Sequence, residues 1–130
     1  MAVVLTSILT TIKKMLGIDS TYDAFDVDVI INVNSALMVL AQLGVGPSTG
    51  FHITGATETW SSFLLDDTTV EAVKTYIYLK VRLIFDPPAS SFVLTAIQEQ
   101  IKEFEWRLMV KEDIPILVPV VVGEVIPGGF

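Results

Sequence analysis

The residues that could carry chemistry in this 130-residue sequence are few and widely spaced. There is one histidine, His52, and no cysteine, so a metal site built from histidine and thiolate ligands would have no second ligand. Two aspartate pairs, Asp26 with Asp28 and Asp66 with Asp67, both precede predicted helices, where aspartate is expected as a capping residue. The sequence therefore predicts no catalytic group, no metal and no cofactor. An enzyme would need a second catalytic group close to His52 in space.

The composition excludes several classes of function. The net charge of −7 argues against a nucleic-acid groove, which needs a cluster of basic side chains. Hydrophobic residues make up 52% of the sequence and charged residues 18%, so the chain is expected to fold as one main body. Mean hydropathy is +0.63, yet no apolar run approaches the ~18 residues that a membrane-spanning helix needs. We expect a soluble protein with no membrane partner, whose apolar surface binds other proteins.

Residues 68–85 predict a helix with two apolar sides. The Asp86-Pro87-Pro88 sequence ends this helix, because proline removes a backbone donor and disfavours helical geometry in the residue before it. A helix that is apolar on two sides must be covered on two sides, so we expect it at the centre of a bundle. Its two stripes are Val70, Val73, Ile77, Val81 and Ile84, and Ala72, Tyr76, Leu79 and Leu83.

The remaining apolar spacing predicts three further helices, over residues 6–16, 26–43 and 91–110. The predicted fold is therefore all-α, a small bundle of about four helices. We expect this bundle to occupy residues 1–112, followed by an extended apolar arm over residues 113–130.

The long connection over residues 44–65 begins with turn-forming residues and has no helical pattern. Short β-prone pieces on either side of Gly55 favour a small β-hairpin there. Trp60 and Phe63 are expected to anchor the end of this connection on the body.

Asn34 lies among apolar positions of the helix over residues 26–43. Two interpretations remain open. It is either a core asparagine hydrogen-bonded to a neighbouring helix or a polar contact that sets the register between subunits.

Three side chains are candidates for contacts with other subunits: Lys80, Phe92 and Trp106. Lys80 falls on an otherwise apolar line of the central helix, where it needs a partner carboxylate or an edge open to water. Phe92 and Trp106 lie nearly opposite the core stripe of the last helix, on the same side as Glu99 and Glu103. Tryptophan is a preferred anchor at protein interfaces. The alternative is that Trp106 folds back beneath the tail or the hairpin.

The tail over residues 113–130 is β-branched, nearly uncharged and interrupted by Pro115, Pro119 and Pro127. Because proline removes helix and ladder donors, we expect neither a helix nor a central strand. An extended arm that docks on another chain by main-chain pairing fits this pattern, and a disordered terminus is the alternative. The side chains that would fill pockets on the partner are Ile114, Ile116, Val118, Val120 and Val122.

Several pieces of the sequence occur together in one known family. They are TTIKKMLGID, DVIINVNSALMVLAQLGVGP, ETWSSFL, VEAVKTYIYLKVRLIFDPPASS and IKEFEWRL. The run from Leu9 to Val110 resembles the head–tail connector proteins of tailed phages and prophages, also called adaptor, head-completion or DNA-packaging proteins. The most specific part is the FDPP that follows KTYIYLKVR. The resemblance covers roughly four-fifths of the chain, and the tail after Lys111 lies outside it.

The resemblance implies a structural virion protein rather than an enzyme. Members are helical and form a homo-oligomeric ring, about twelve-fold in the virion, that docks under the portal protein after DNA packaging. The ring extends the DNA channel and offers a surface to stopper or tail-completion proteins. The implied location is the virion neck, with the host cytoplasm during assembly. Lys80, Phe92, Trp106 and the tail then become candidates for subunit or portal contacts.

A ring of chains with a charge of −7 each would form an acidic channel. Like charge repels DNA phosphates, so DNA would pass without specific binding. The acidic candidates for the channel wall are Asp66, Asp67, Glu99 and Glu103.

A second hypothesis comes from a different class of protein. The chain could be a small helical regulator, similar to an antitoxin, that binds one protein partner through its apolar tail. A regulator should form a dimer or a one-to-one complex, whereas a connector should be encoded beside portal and capsid genes.

Overall fold

A computed structural model describes the backbone of residues 7–64 and 67–121, and the side chains of residues 7–64 and 69–110. Within these ranges the chain is helical and contains no β-strand, which confirms the all-α prediction. The helices are α1 (Ile8–Met15), α2 (Asp26–Gln42), α3 (Trp60–Phe63), α4 (Asp67–Phe85) and α5 (Ser91–Val121).

Helix α4 lies at the centre of the described body, because it packs on α1, α2 and α5. Val73, Tyr76 and Ile77 are fully buried along it, so the prediction of a helix covered on two sides is confirmed. Ile84 departs from its predicted stripe, since it is 67% exposed. It lies in the last turn of α4, and helical spacing fixes the side of a helix on which a residue lies but not whether a neighbour extends that far.

Helix α1 forms because Ser7 accepts a hydrogen bond from the Thr10 amide (3.2 Å) as its N-cap. Ile8 and Ile12 on its inner side are fully buried. The end of α1 is bounded by Gly17, whose φ of 84° lies in the left-handed region that favours glycine.

Lys13, in the last turn of α1, is buried and fully partnered. Its ammonium donates to the carbonyl oxygens of Tyr22 (2.7 Å) and Ser20 (3.3 Å). It also lies 2.7 Å from a carboxylate oxygen of Asp26, at the start of α2. A buried ammonium is tolerated only when acceptors replace its water, so Lys13 joins α1, the segment over residues 16–25 and α2 into one unit.

The three long helices alternate in direction. Phe25, just before α2, contacts Phe85 at the end of α4, with ring centroids 5.1 Å apart, so α2 and α4 run antiparallel. A short turn over residues 86–90 reverses the chain between α4 and α5. The C-terminal half of α2 and the far half of α5 therefore both lie towards the start of α4.

The predicted β-hairpin is absent from the described part of residues 44–65. The only β-type pairing described is an isolated bridge between Ser7 and Thr59. The turn at Thr54 and Gly55 is instead closed by Glu58, whose carboxylate accepts from the Thr54 amide (3.0 Å), the Thr54 hydroxyl (2.8 Å) and the Gly55 amide (3.3 Å). Burial works against ionisation of Glu58, but these hydrogen bonds outweigh it and hold its pKa below the usual value.

Trp60 and Phe63 on α3 are buried, which confirms that they anchor the connection on the body. The Trp60 indole donates to the Thr11 hydroxyl of α1 (3.0 Å). Phe63 packs against Gly46, where a Cβ atom would lie only 2.5 Å from the ring.

Helix α5 is longer than predicted. It begins as expected, with the Ser90 hydroxyl accepting from the Val93 amide (3.4 Å), but it continues to Val121 instead of ending near Val110. The extended conformation predicted from residue 113 is therefore wrong as far as Val121, and residues 122–130 lie outside the described residues. Proline costs about 3 kcal/mol inside a helix, yet its fixed φ is close to the helical value. Pro115 and Pro119 thus weaken helical hydrogen bonding without forbidding the helix.

Among the described helices, none combines the length and apolar character that crossing a membrane requires. The division of the chain into a bundle over residues 1–112 and a separate arm over residues 113–130 stays a prediction, although this arm is helical as far as Val121.

Candidate assembly interface

Helix α5 contacts the body along one narrow stripe. Ile97, Ile101 and Leu108 are buried on this stripe, and Phe104 is half-buried beside them. Their spacing of four, three and four residues keeps them on one side of the helix. The remaining circumference of α5 up to residue 110 is largely open to water.

The side of α5 opposite this stripe carries Phe92, Glu99, Glu103 and Trp106, which we call the outer face of α5. Phe92 is 82% exposed and Trp106 is 61% exposed. Trp106 is not covered by the connection over residues 44–65, so that part of its predicted alternative is wrong, whereas a position beneath the tail concerns side chains outside the described part. Large exposed aromatic side chains at one helix face are typical of a protein interface.

Both acidic residues of the outer face have a cation close by. The Arg107 guanidinium donates to Glu103 through Nη2 (2.6 Å) and Nε (2.8 Å). Lys102 lies 3.9 Å from Glu99. These pairs are exposed, so they contribute little to stability, but they offset the negative charge of the face.

Of the other two acidic candidates, Asp67 is the first residue of α4, and its side chain is outside the described part. Asp66 lies outside the described residues altogether.

Lys80 has a partner within the chain. Its ammonium lies 4.0 Å from Glu105 of α5 and 5.9 Å from the centre of the Tyr76 ring. The Tyr76 hydroxyl donates to the same carboxylate (2.7 Å). Burial, together with the hydrogen bond and the negative charge of Glu105, raises the pKa of Tyr76 far above its usual value. The Tyr76–Glu105–Lys80 group therefore fastens α5 to α4, and Glu105 is the partner carboxylate that Lys80 was expected to need.

The candidate tail residues lie partly on α5. Its helical backbone includes the positions of Ile114, Ile116, Val118 and Val120, whose side chains are outside the described part. Val122 lies outside the described residues.

A second exposed apolar face occurs on α2 and was not predicted from the sequence. Ile31 and Met38 are each 58% exposed, and Val27 is more exposed still. Their spacing of four and seven residues places them on one side of the helix. Spacing could have identified this line, but the sequence did not show which apolar side of α2 would remain uncovered.

Asn34 is held by the connection and not by a helix. Its side-chain amide donates to the Ile53 carbonyl (2.9 Å) and its oxygen accepts from the Ile53 amide (2.7 Å). Both backbone groups of the buried Ile53 are therefore satisfied by one side chain. The predicted hydrogen bond to a neighbouring helix is therefore wrong in its partner, because Ile53 lies in the connection over residues 44–65.

A cleft of about 550 Å³ opens between the C-terminal half of α2 and the segment over residues 48–52. His52 lies at this cleft and is exposed. In the described part of the chain, no group of three or more His, Cys, Asp or Glu residues could hold a metal ion. The residues lining the cleft are Asn34, Met38, Ala41, Gln42, Ser48, Thr49, Gly50, Phe51 and His52.

A comparison with protein families matches residues 8–115 to the model of the phage connector protein family. This match includes all of α1 to α4 and most of α5. The chain belongs to the phage connector protein family. The connector family is structural, and membership supports a head–tail connector role in the virion. Comparisons with curated proteins and with solved structures gave no match.

Proposed function

We propose that this chain is a ring-forming head–tail connector that docks beneath the portal protein after DNA packaging. The ring extends the DNA channel in the virion neck and presents a surface to stopper or tail-completion proteins. The observation that carries this proposal is the family match over residues 8–115. That match also favours a connector over the hypothesis of a small regulator.

The outer face of α5 is the proposed contact with the neighbouring subunit or the portal. Phe92 and Trp106 offer aromatic surface that no described part of the chain covers. The ion pair between Glu103 and Arg107 lies beside Trp106 on the same helix. An aromatic anchor with a polar rim is the usual arrangement of residues that dominate binding energy. Lys80, which already pairs with Glu105, is proposed as a weaker contributor.

If the outer face of α5 is an interface, fewer acidic residues remain as candidates for the channel wall. Glu99 and Glu103 share the outer face of α5 with Trp106, so they cannot line the channel if that face is buried between proteins. Each also has a cation close by. We therefore favour Asp66 and Asp67 for the channel wall, where repeated carboxylates would repel DNA phosphates and keep the genome from binding.

Co-sedimentation with the portal ring of the same phage tests the proposal. The full chain is compared with Trp106→Ala and with Ile84→Ala, a matched control of similar exposure in the last turn of α4. We expect Trp106→Ala to lower portal binding several-fold because it removes the aromatic anchor, whereas Ile84→Ala binds as the unchanged chain does. Circular dichroism should show the same helix content in all three.

Two further results would decide against parts of the proposal. If the unchanged chain is folded but does not sediment with the portal, and forms a dimer or a one-to-one complex instead, the regulator hypothesis is favoured. If Trp106→Ala binds as strongly as the unchanged chain, the outer face of α5 is not the contact. A chain ending at Val121 separates the contribution of residues 122–130 while keeping the described length of α5.

A further inference from the structure

The cleft between α2 and residues 48–52 has walls that are held in place without a ligand. Asn34 pairs with both backbone groups of Ile53, so the segment after the cleft is tied to α2. Phe51 packs on the buried Phe63, with ring centroids 5.3 Å apart. A site whose walls are already ordered binds a ligand at a lower cost in conformational entropy.

The lining of this cleft differs from the rest of the chain in its low charge. The sequence contains 15 acidic residues and has a net charge of −7, yet neither a carboxylate nor a lysine or arginine lines the cleft. Met38 and Phe51 provide apolar surface, and Gln42 and Ser48 provide polar groups. The cleft, of about 550 Å³, is a surface depression open to water, so it has room for a few side chains of an extended segment that lies across it. These properties suit a short, nearly uncharged peptide.

The chain itself contains such a peptide, in residues 122–130. Their sequence is VGEVIPGGF, with Glu124 as the one charged residue and four large apolar side chains. The segment directly follows α5, and nine extended residues span up to about 30 Å.

The topology places this segment at the same end of the body as the cleft. Tyr76 of α4 lies opposite Glu105 of α5, and nine residues lead from Tyr76 back to Asp67, where α4 begins. The position nine residues beyond Glu105 is residue 114, so residues 115–121 of α5 extend past the start of α4. At 1.5 Å per residue this extension is about 10 Å. The cleft lies at the C-terminal half of α2, which also points towards the start of α4.

We propose that the cleft of one copy binds residues 122–130 of the neighbouring copy. This inference rests on the proposed assembly into a ring and names a contact within it. Residues 115–121 of α5 extend past the start of α4, so the segment begins beyond the end of its own body, where a neighbouring copy can meet it. A contact between two different surfaces of the same chain is heterologous, and heterologous contacts generate rings when the rotation between copies closes.

Disulfide trapping tests this contact, because the chain has no cysteine of its own. Two full-length variants, Ser48→Cys in the cleft and Gly129→Cys in the segment, are mixed and oxidised at high concentration, with and without the portal ring. We expect the mixed disulfide to form in several-fold excess over both symmetric disulfides. The control mixture replaces Ser48→Cys by Ser20→Cys, an exposed position near the opposite end of α2, and should show no such excess.

A second variant blocks the cleft. Adding Met38→Glu to Ser48→Cys puts a carboxylate into the uncharged lining at a side chain that is 58% exposed, so the fold should tolerate it. We expect the excess of mixed disulfide to be lost. The inference is overturned if the mixed disulfide does not exceed the control, if Met38→Glu leaves it unchanged, or if a chain with both cysteines closes only on itself.

The same variants are then sedimented with the portal ring under reducing conditions. Portal binding without the mixed disulfide would remove only this inference. The mixed disulfide without portal binding would remove the docking function and keep the contact between copies.

Discussion

Two parts of the molecule pack on α4, and they differ in how many of their side chains have partners within the chain. In the part formed by α1, α2, α3 and their connections, Lys13 has three oxygen partners and Asn34 satisfies both backbone groups of Ile53. Helix α5 contributes one buried stripe and leaves Phe92 and Trp106 in water. The difference indicates that the first part holds the fold, although Val27, Ile31 and Met38 of α2 are also uncovered. It supports the proposal that the outer face of α5 contacts other proteins.

The largest expected change is in the free energy of unfolding, when a buried residue of the first part and an exposed residue of α5 are each replaced by alanine. Leu37→Ala removes a fully buried side chain of α2 and should lower the free energy of unfolding by about 2–5 kcal/mol, because it leaves a cavity. Trp106→Ala should change it by less than about 0.5 kcal/mol, because the side chain is exposed. Urea unfolding followed by circular dichroism measures both. Equal losses in the two variants would contradict the distinction between the two parts.

An intermediate loss of unfolding free energy is expected when the connection over residues 44–65 loses its hydrogen bonds to α2. Asn34→Ala leaves the Ile53 amide and carbonyl without their partner and should cost about 1–3 kcal/mol in unfolding free energy. Asn32→Ala, two residues earlier on α2, is the matched control and should cost less. Amide exchange at Ile53 should also become faster in Asn34→Ala alone. Unchanged exchange would mean that Asn34 does not hold the connection.

The smallest expected loss of unfolding free energy comes from weakening the attachment of α5 to α4. Tyr76→Phe removes the hydrogen bond to Glu105 and should cost about 1 kcal/mol near neutral pH. The fold raises the pKa of Tyr76 above its unfolded value of 10.0, so it favours the neutral phenol. That contribution is complete below pH 10.0 and is lost as the pH rises above it.

The stability difference between the unchanged chain and Tyr76→Phe should therefore shrink as the pH rises above 10. Unfolding curves at a series of alkaline pH values measure it, with Tyr22→Phe, at an exposed tyrosine, as the control. A difference that stays constant with pH would contradict the role of Tyr76 in holding α5.

Sequence patterns predicted much of the fold because helical spacing is a local property. The central position of α4 followed from its two apolar stripes, and the anchoring of Trp60 and Phe63 followed from large apolar residues at the end of a polar connection. The outer face of α5 was likewise predicted from spacing alone. The hairpin prediction was wrong because Glu58, and not a neighbouring strand, satisfies the backbone at Thr54 and Gly55.

The sequence by itself determined the positions of α1, α2, α4 and of α5 up to about Val110, which side of α5 is buried and that the chain carries no cysteine chemistry. Only the tertiary structure decided that Lys13 is buried, that Ile31 and Met38 are uncovered, and that Asn34 pairs with Ile53. The physical reason is that spacing along a helix sets the direction of a side chain, whereas its burial and partners depend on which distant segment lies opposite.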